Sequence, residues 1–552
     1  MEWSQGYFTE LGYTFGYYRE LSPAMLRLAC LCRGVEPSFQ NTPTYLELGS
    51  GQGVSINMHA ASASGSFWGC DFNPAQTVEA RRLAEASGAN VHLFDDSFEE
   101  FAGRSDLPEF DIIALHGVWS WVSSANRAII KQIIRQRLRP GGLVYVSYNC
   151  LPGWAPIGPI RHLMSLYQRQ SGAMSGPTQV VEAALQFTKE IADAGSMFFR
   201  QNPIAGHHFG DLARQDRNYI AHEYLNADWH AEHFSDVAES LAEAKLTFVG
   251  SARLLDDIDA LQLSPDGKAL IARFSNPLMR ETVRDHLVNR RFRSDIFVKG
   301  PRKLSHLEQQ EAWSSQAFVL SVPADEIPKK ITSGQGEVEL PPELYDPLIE
   351  ALADDLPPIK QVQELARHPK LCRIESHQLI EGLVVLTGAG FLQPAQEPTD
   401  IAIKQCHALN RYIVQRARVS MDLSHLVSPV SGCAVGVPHM IQLFIQALDK
   451  GLTSADELAG HVLEFLEEVG ERLVKQGKKI ESASETIIEL RKMAEQFLKN
   501  RLPTLQRLRI IGGPISTAPS QLAVEMDLDD EAGRSGRPHA FGSTSLVHFQ
   551  DQ

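Results

Sequence analysis

The stretch Glu47-Leu48-Gly49-Ser50-Gly51-Gln52-Gly53 constrains the fold of this chain more than any other. It overlaps the end of an apolar, β-type run at residues 44–48. A strand that turns tightly into a helix needs glycine where the backbone takes a positive φ or passes close to a ligand, and glycines at alternate positions meet that need. The stretch therefore predicts a strand, a tight turn and a helix, with a ligand site at the turn.

Residues 44–149 alternate short apolar runs with helical segments, a pattern typical of a parallel sheet flanked by helices. Helices are predicted at 74–87 and 124–138, and the second stops at Arg139-Pro140-Gly141-Gly142. Strands are predicted at 44–48, 66–70, 90–94, 110–115 and 142–148. The predicted fold class is therefore α/β: a doubly wound, Rossmann-like domain followed by mainly helical middle and C-terminal domains.

A chain of 552 residues predicts three or four domains of about 150 residues each. The first domain is expected at 1–160, a middle domain at 161–310 and a mainly helical C-terminal domain at 311–510. Helices around 344–356, 359–366 and 376–387 indicate a small winged-helix-like unit, and 454–500 is predicted as one long helical region. Residues 511–552, rich in Ser, Gly, Pro and acidic residues, are expected to form a flexible tail.

The net charge of -15 argues against nucleic acid as a partner. No apolar run approaches the roughly 20 residues needed for membrane insertion. Seven scattered cysteines indicate a reducing compartment, and we expect a cytoplasmic protein. Cys30 and Cys32 are separated by one residue, which does not suit a metal or redox motif, so no metal site is predicted.

Residues 280–303 carry a local excess of positive charge. A solvated face paired with acidic neighbours is the favoured interpretation. A docking stripe for an acidic protein is the alternative.

Acidic residues follow the second and third predicted strands. Asp71 ends the second strand, 18 residues after Gly53, where a carboxylate can bond a ribose diol. Asp95-Asp96-Ser97-Phe98 ends the third strand and places an acid and an aromatic where an adenine would rest, although one aspartate alternatively serves as a helix N-cap. A nicotinamide enzyme would normally show Gly-x-Gly-x-x-Gly, whereas position 54 is valine here.

The Glu-x-Gly-x-Gly-x-Gly spacing resembles motif I of class I S-adenosylmethionine-dependent methyltransferases. Three further segments look like those of bacterial methyltransferases with a methyltransferase regulatory domain. They are His-Gly-Val-Trp-Ser-Trp-Val at 116–122, Leu-Arg-Pro-Gly-Gly at 138–142 and Ser-Tyr-Asn-x-x-Pro-Gly-Trp at 147–154. His222-Glu223-Tyr224-Leu225 and Asn289-Arg290-Arg291-Phe292-Arg293 are similar to the regulatory region. That family includes rickettsial lysine methyltransferases of outer-membrane proteins, and the resemblance covers roughly residues 1–300.

The resemblance implies S-adenosyl-L-methionine as cofactor. In the family, the glycine loop accommodates the amino-acid part of the cofactor, the acid after strand two holds the ribose hydroxyls, and the acid after strand three reaches the adenine amino group. The implied cofactor residues are Glu47, Gly49, Ser50, Gly51, Gly53, Asp71, Phe72, Asp95, Asp96, Ser97, Phe98 and His116.

A channel for the methyl acceptor is expected beside the cofactor. We hypothesise that it is formed by Tyr7, Tyr17, His116, Trp119, Tyr148, Asn149 and Trp154. For Trp119, core packing is an equally good interpretation, and the N-terminal tyrosines alternatively pack as a helix on the sheet.

Protein-lysine N-methylation is the leading functional expectation, with a protein substrate and with pairing of two subunits. A small-molecule O- or N-methyltransferase, which would need a closed pocket, is the first alternative. The second is a catalytically silent scaffold that keeps the fold for protein contact.

Overall fold

The computed structural model describes residues 15–512 except 38, 40–41, 171–176, 355–357, 476–477 and 481. Tyr7 and residues 513–552, nearly all of the predicted tail, lie outside the described residues. A seven-stranded sheet lies at the centre. Its strands in chain order are β1 (Thr44–Leu48), β2 (Ser66–Cys70), β3 (Val91–Phe94), β4 (Phe110–Leu115), β5 (Leu138–Asn149), β6 (Leu246–Ser251) and β7 (Phe292–Lys299).

The strands lie in the order β3-β2-β1-β4-β5-β7-β6. The first five are parallel, and β7 is inserted antiparallel between β5 and β6. This is a doubly wound, Rossmann-like sheet, so the predicted fold class is confirmed. The strand order reverses beside β1, and sheets of this kind bind ligands in the crevice at the carboxyl ends of their strands, at such a reversal. The glycine loop follows β1 and therefore lies at that crevice.

The last two strands correct the predicted boundary at residue 160. The sequence assigns residues 161–310 to a separate middle domain, but β6 and β7 belong to the central sheet. Phe292 on β7 lies opposite Asn149 on β5, so the two partners are far apart along the chain and no local pattern reveals their pairing. The predicted helix stop before 139–142 is confirmed, because the helix ends at Arg137, but residues 139–142 form the first part of β5 and not a separate turn.

Capping residues determine where the helices against the sheet begin and end. The Asn73 side chain accepts a hydrogen bond from the Ala75 amide, Pro74 takes the first helical position, and Gly88 ends the helix in the left-handed conformation. Ser123 caps the next long helix in the same way. These helices are α1 (Pro23–Cys32), α2 (Val54–Ser62), α3 (Pro74–Ser87), α4 (Phe98–Ala102) and α5 (Ser124–Arg137).

Helices inserted between β5 and β6 have an apolar core of their own, which includes Met164, Leu185 and Tyr224. Five of them are α6 (Gly158–Gln170), α7 (Pro177–Asp193), α8 (Met197–Gln201), α9 (Pro203–Leu212) and α10 (Arg217–Tyr224). The next helix, α11 (Phe234–Ala242), buries Phe234 and Leu241 in the core of the sheet instead. Between β6 and β7 lie α12 (Asp259–Gln262), α13 (Pro265–Ile271) and α14 (Pro277–Val288).

The basic residues at 280–303 are largely paired with acids, as the favoured interpretation predicts, but Arg284 and Arg293 are buried and do not lie on a solvated face. Arg293 donates to Asp285 at 2.6 Å and to Asp295 at 2.7 Å, and its side chain is 5% exposed. Arg284 and Arg290 are similarly buried, against Asp259 and Asp256 respectively. A side chain buried in an ion pair cannot contact a partner, so these three arginines form no docking stripe.

The C-terminal region contains a unit with the order of a winged helix. A helix, a short strand, two helices and a strand follow one another along the chain. A three-stranded sheet closes the unit, and its central strand, at 317–320, lies between the strands at 360–361 and 392–395. Its elements are β8 (Ala317–Leu320), α16 (Pro342–Ala353), β11 (Lys360–Gln361), α17 (Val362–Ala366), α18 (Ser376–Gly388) and β12 (Leu392–Ala395). The helix α15 (His306–Ser315) precedes β8, and a hairpin of β9 (Lys330–Ser333) and β10 (Gly336–Glu339) lies between β8 and α16.

The remainder is mainly helical. The predicted single helical region at 454–500 is in fact two helices separated by a hairpin of β15 and β16. The elements are α19 (Asp400–Arg416), β13 (His425–Val427), β14 (Ala434–Gly436), α20 (His439–Asp449), α21 (Ala455–Val469), β15 (Val474–Lys475), β16 (Lys478–Lys479), α22 (Ala483–Gln496) and α23 (Leu502–Arg507). Across the described part of the chain, every helix is too short or too polar to cross a membrane.

Candidate functional site

The glycine loop after β1 is tight at two positions and open at one. Gly49, Gly51 and Gly53 all have positive φ, at 73°, 54° and 69°. A Cβ on Gly49 would overlap the Val118 side chain, and one on Gly53 would overlap Ala80. At Gly51 the nearest side-chain atom to such a Cβ would be 3.7 Å away. The loop therefore needs glycine on its protein side and has free space at Gly51. Ser50 bonds Cys70 O through its amide at 3.2 Å.

Asp71, directly after β2, lies against this loop. Its carboxylate accepts hydrogen bonds from the Gly51 amide at 2.9 Å and the Asn73 amide at 3.0 Å. Burial raises the pKa of Asp71 to about 6, although both amide bonds act in the opposite direction. The Gln76 side-chain amide nitrogen lies 3.2 Å from both carboxylate oxygens and is a third donor to Asp71, so a hydroxyl of a ligand on the loop would bind Asp71 in competition with Gln76.

Glu47 on β1 adds a second buried carboxyl group. The Tyr45 hydroxyl donates to it at 3.3 Å, and burial raises the pKa of Glu47 to about 8, with the nearby Asp71 acting in the same direction. Among the described residues, none forms an ion pair with Glu47 or Asp71. Glu47 is therefore protonated at neutral pH, whereas Asp71 is ionised there and favours a positively charged ligand.

The residues after β3 are placed at the rim, but the predicted N-cap role belongs to neither aspartate. Ser97 caps α4 through a capping box with Glu100. Asp95 pairs with Arg81 at 3.4 Å, and Asp96 pairs with Arg104 at 3.1 Å. Phe72 and Phe98 are both half-buried.

His116, after β4, is the centre of an aromatic and polar group. The ring of Tyr18 packs on it with centroids 3.7 Å apart, and its Nδ1 lies 2.9 Å from the Tyr145 hydroxyl and 3.4 Å from Ser147 Oγ. Burial lowers the pKa of His116 to about 4. The imidazole is therefore neutral at physiological pH.

Alternation along β5 divides the predicted channel residues between two faces of the sheet. Tyr145 and Ser147 contact His116, so Asn149 shares their face. Tyr148 lies on the opposite face, where its buried hydroxyl donates to Asp295 at 2.7 Å. The prediction that Tyr148 lines the channel is therefore wrong.

Three further predicted channel residues lie elsewhere. Trp119 is 1% exposed, and its Nε1 donates to Glu232 at 3.0 Å, so the core-packing interpretation holds. Trp154 belongs to the core of the middle helices, where it packs against Trp229. Tyr17 accepts a hydrogen bond from the Ala434 amide at 2.7 Å in the C-terminal region. Of the described members of the predicted channel, the structure brings together only His116 and Asn149.

Tyr18 is coupled electrostatically to acidic side chains from three parts of the chain. Burial raises the pKa of Tyr18 to about 12, and Glu223, Glu20 and Glu47 act in the same direction. Glu223 comes from α10, and burial raises its pKa to about 7, with Arg161 opposing the shift. Glu20 lies 3.9 Å from Arg253.

The sequence contains signals for these residues that the prediction did not use. Tyr18 adjoins the chosen Tyr17, and Glu223 lies inside a quoted motif. Tyr145 and Ser147 share the period of Asn149 along one strand, which identifies them as neighbours on one face.

Comparisons with known proteins agree with this geometry. A profile described as "Methyltransferase domain" matches residues 46–142, and one described as "Predicted methyltransferase regulatory domain" matches residues 216–299. The second match runs from α10 to the end of β7, so it includes the strands that complete the sheet. An uncharacterized protein of Synechocystis sp. is 39% identical over 516 residues, which cover 92% of this chain and 100% of that protein.

One solved structure resembles nearly the whole chain. PKMT2 from Rickettsia typhi, in complex with AdoHcy, aligns with a TM-score of 0.64 over 90% of this chain and 98% of its own. The sequence identity is 18%, so this likeness concerns the fold. An uncharacterized protein of Rickettsia prowazekii is 24% identical over 303 residues, 54% of this chain and 53% of that protein.

Proposed function

The chain belongs to the S-adenosylmethionine-dependent methyltransferases that carry a methyltransferase regulatory domain, and from this premise we propose that it methylates lysine side chains of a protein substrate. The observation that carries the lysine assignment is the packing of Tyr18 on the neutral His116, with ring centroids 3.7 Å apart, together with the electrostatic coupling of Tyr18 to Glu20 and Glu223. Acidic and aromatic surroundings favour a cationic acceptor. The resemblance of the sequence to rickettsial protein-lysine methyltransferases supports the same assignment.

The residues of the glycine loop fit the cofactor. The free space at Gly51 accommodates a ligand that passes close to the backbone, and the Asp71 carboxylate beside it can accept from a ribose diol. Asp71, ionised at neutral pH, suits a cofactor that is positively charged at its sulfonium and its amino group. Bound there, S-adenosylmethionine supplies a methyl group that is open to attack by an amine.

Glu223 is the residue that we assign to acceptor deprotonation. A lysine ammonium has an ordinary pKa of about 10.4 and must lose a proton before its nitrogen can attack. A carboxylate whose pKa is raised to about 7 is a better base than an ordinary glutamate and is still ionised above neutral pH. The proton moves from the ammonium to Glu223 and then to solvent, a new nitrogen–carbon bond forms, and the sulfur–carbon bond breaks.

Neutral His116 cannot repel an incoming cation. Its Nδ1 is engaged by Tyr145, whose hydroxyl is also 3.2 Å from Ser294 Oγ, and this chain fixes the imidazole orientation. Asn149, on the same face, is the residue of β5 that we place next to the acceptor.

Glu223→Gln is expected to lower turnover about a hundredfold, the usual contribution of a positioned general base. The raised pKa sets the direction of the pH effect. In the wild type at saturating cofactor, turnover rises as pH increases through about 7, because Glu223 then becomes ionised, while Tyr18, Tyr224 and Arg161 keep their charge states. Glu47, whose pKa is raised to about 8, titrates in both enzymes, so only the limb near pH 7 should be missing from the variant. Rates from pH 5.5 to 9 measure the effect.

Glu182→Gln is the matched control, because Glu182 is an exposed glutamate of the neighbouring α7 that pairs with Arg217. It should keep both the rate and the pH limb of the wild type. A Glu223→Gln enzyme that retains the limb would contradict the assignment.

The lysine assignment is tested with radiolabelled S-adenosylmethionine and bacterial lysate proteins as acceptors. Labelling of protein is expected, and prior acetylation of lysate lysines should abolish it. The Asp71→Ala enzyme serves as the negative control. Label transferred to small molecules that separate chromatographically from the cofactor would instead favour a small-molecule methyltransferase, and protein labelling unaffected by acetylation would exclude lysine.

A further inference from the structure

The segment 17–22 contacts the cofactor crevice and the C-terminal region with alternating residues. On the crevice side, Tyr18 packs on His116 with ring centroids 3.7 Å apart. The Tyr18 amide also donates to Ser55 Oγ at 2.9 Å, and Ser55 lies in the first turn of α2, directly after the glycine loop. Tyr18 therefore lies over the place where the loop, α2 and the end of β4 meet.

Three other residues of the segment bind the C-terminal region. Arg19 donates to Thr387 O at 3.1 Å and to Gly388 O at 2.6 Å, two carbonyls at the end of α18. Ser22 Oγ donates to Gly432 O at 2.9 Å, and Tyr17 accepts from the Ala434 amide at 2.7 Å. A guanidinium at a helix C-terminus satisfies carbonyls that have no partner within the helix and interacts favourably with the helix dipole.

We propose that the C-terminal region holds the segment 17–22 closed over the cofactor site, and that Arg19 is the positioning residue through which α18 fixes Tyr18. The proposal rests on the assignment of the glycine loop as the cofactor site and does not depend on the lysine acceptor. It gives the winged-helix-like unit a defined part in cofactor retention. The unit acts on the crevice through backbone carbonyls and a single cation, without reaching the cofactor itself.

Alternative explanations of these contacts would treat them as ordinary domain packing. The C-terminal region also binds the sheet unit at a point away from the segment, where Gln405 Nε2 donates to Gly88 O at 3.1 Å. Gln405→Ala therefore removes an interface hydrogen bond but leaves the segment 17–22 untouched. It is the matched control for a purely structural role of Arg19.

The experiment measures S-adenosylhomocysteine binding and hydrogen exchange on the full chain. Arg19→Ala should release S-adenosylhomocysteine about tenfold faster than the wild type, since it loses two charge-assisted hydrogen bonds. Exchange of the Leu21 and Ser22 amides, which bond Tyr18 O and Arg19 O, should accelerate in the same variant, with and without ligand. Arg19→Lys should release S-adenosylhomocysteine more slowly than Arg19→Ala does, because the lysine ammonium can still reach a carbonyl of α18.

Tyr17→Phe is the second variant, because it removes one hydroxyl and keeps the ring in place. It should accelerate release and exchange in the same direction as Arg19→Ala, by a smaller factor. Release and exchange in Arg19→Ala or Tyr17→Phe that match Gln405→Ala would overturn the proposal. If the wild type fails to bind S-adenosylhomocysteine, the cofactor assignment fails, whereas absent lysine methylation with normal binding affects only the proposed acceptor.

Discussion

Asp71→Ala should weaken S-adenosylhomocysteine binding about a hundredfold or more. The variant loses the two hydrogen bonds that the ribose diol of the ligand would donate to the carboxylate, and a hydrogen bond to a charged group contributes about 1.5 to 3 kcal/mol. The carboxylate is buried against the loop and is fixed by the Gly51 and Asn73 amides, so its orientation is set before the ligand arrives. The substitution also deprives both amides of their acceptor. Calorimetric titration of the folded variant measures the loss.

The pKa of Asp71 gives the same prediction a pH dependence. Burial raises that pKa to about 6, so the carboxylate is ionised at neutral pH and protonated below about 6. The dissociation constant for S-adenosylhomocysteine should rise by up to about tenfold for each pH unit below that value, if the ionised form binds. The dependence should be absent in Asp71→Asn, which keeps an oxygen for the loop amides but does not titrate.

Asp106→Ala is the control for a general loss of negative charge at this edge. Asp106 is exposed and pairs with Arg104 at 2.9 Å, and exposed pairs contribute about 0 to 1 kcal/mol. Affinity should stay near that of the wild type. Equal losses in Asp71→Ala and Asp106→Ala would show that Asp71 has no direct contact with the ligand.

Gly49→Ala should lower the free energy of unfolding by about 2 to 5 kcal/mol, from the cost of a positive φ together with overpacking. The Gly49 backbone has φ +73°, and a Cβ there would overlap Val118 Cγ2. Val118 is buried in the core of the sheet and has little room to move. Urea unfolding followed by circular dichroism measures the change.

Two further variants separate the causes. Gly88 has φ +64° with no atom within 4 Å of an added Cβ, so Gly88→Ala should show only the conformational cost, about 1 to 2 kcal/mol. Val118→Ala should recover stability when it is combined with Gly49→Ala, because it removes the overlapping methyl group. Equal destabilisation by Gly49→Ala and Gly88→Ala would contradict the steric part of the argument.

The cofactor half of the site follows closely from sequence. Gly49, Gly51, Gly53 and Asp71 come from two adjacent strand ends, and adjacent parallel strands bring their carboxyl ends to the same edge. A local motif therefore predicts a spatial arrangement. The outcome differs for Asp95 and Asp96, whose side chains pair with Arg81 and Arg104, because ion pairs depend on neighbours that the motif does not include.

The acceptor half follows from sequence only in part. Aromatic residues near the strand ends were good candidates by type, but Tyr148 and Asn149 are consecutive on a strand and must face opposite sides of the sheet. Tyr17 and Tyr18 differ in the same way, since one binds the C-terminal region and the other packs on His116. Residue type alone does not distinguish such neighbours.

The sequence by itself determined the parallel strands, the helices between them, the glycine loop and the position of Asp71 beside that loop. These features depend on residues a few positions apart, and hydrophobic periodicity and turn chemistry act over that distance. Tertiary structure alone decided that β6 and β7 complete the sheet, and that Tyr18 packs on His116. Those contacts join segments roughly a hundred residues apart, and they are selected by burial and charge pairing across the whole fold, which no local pattern records.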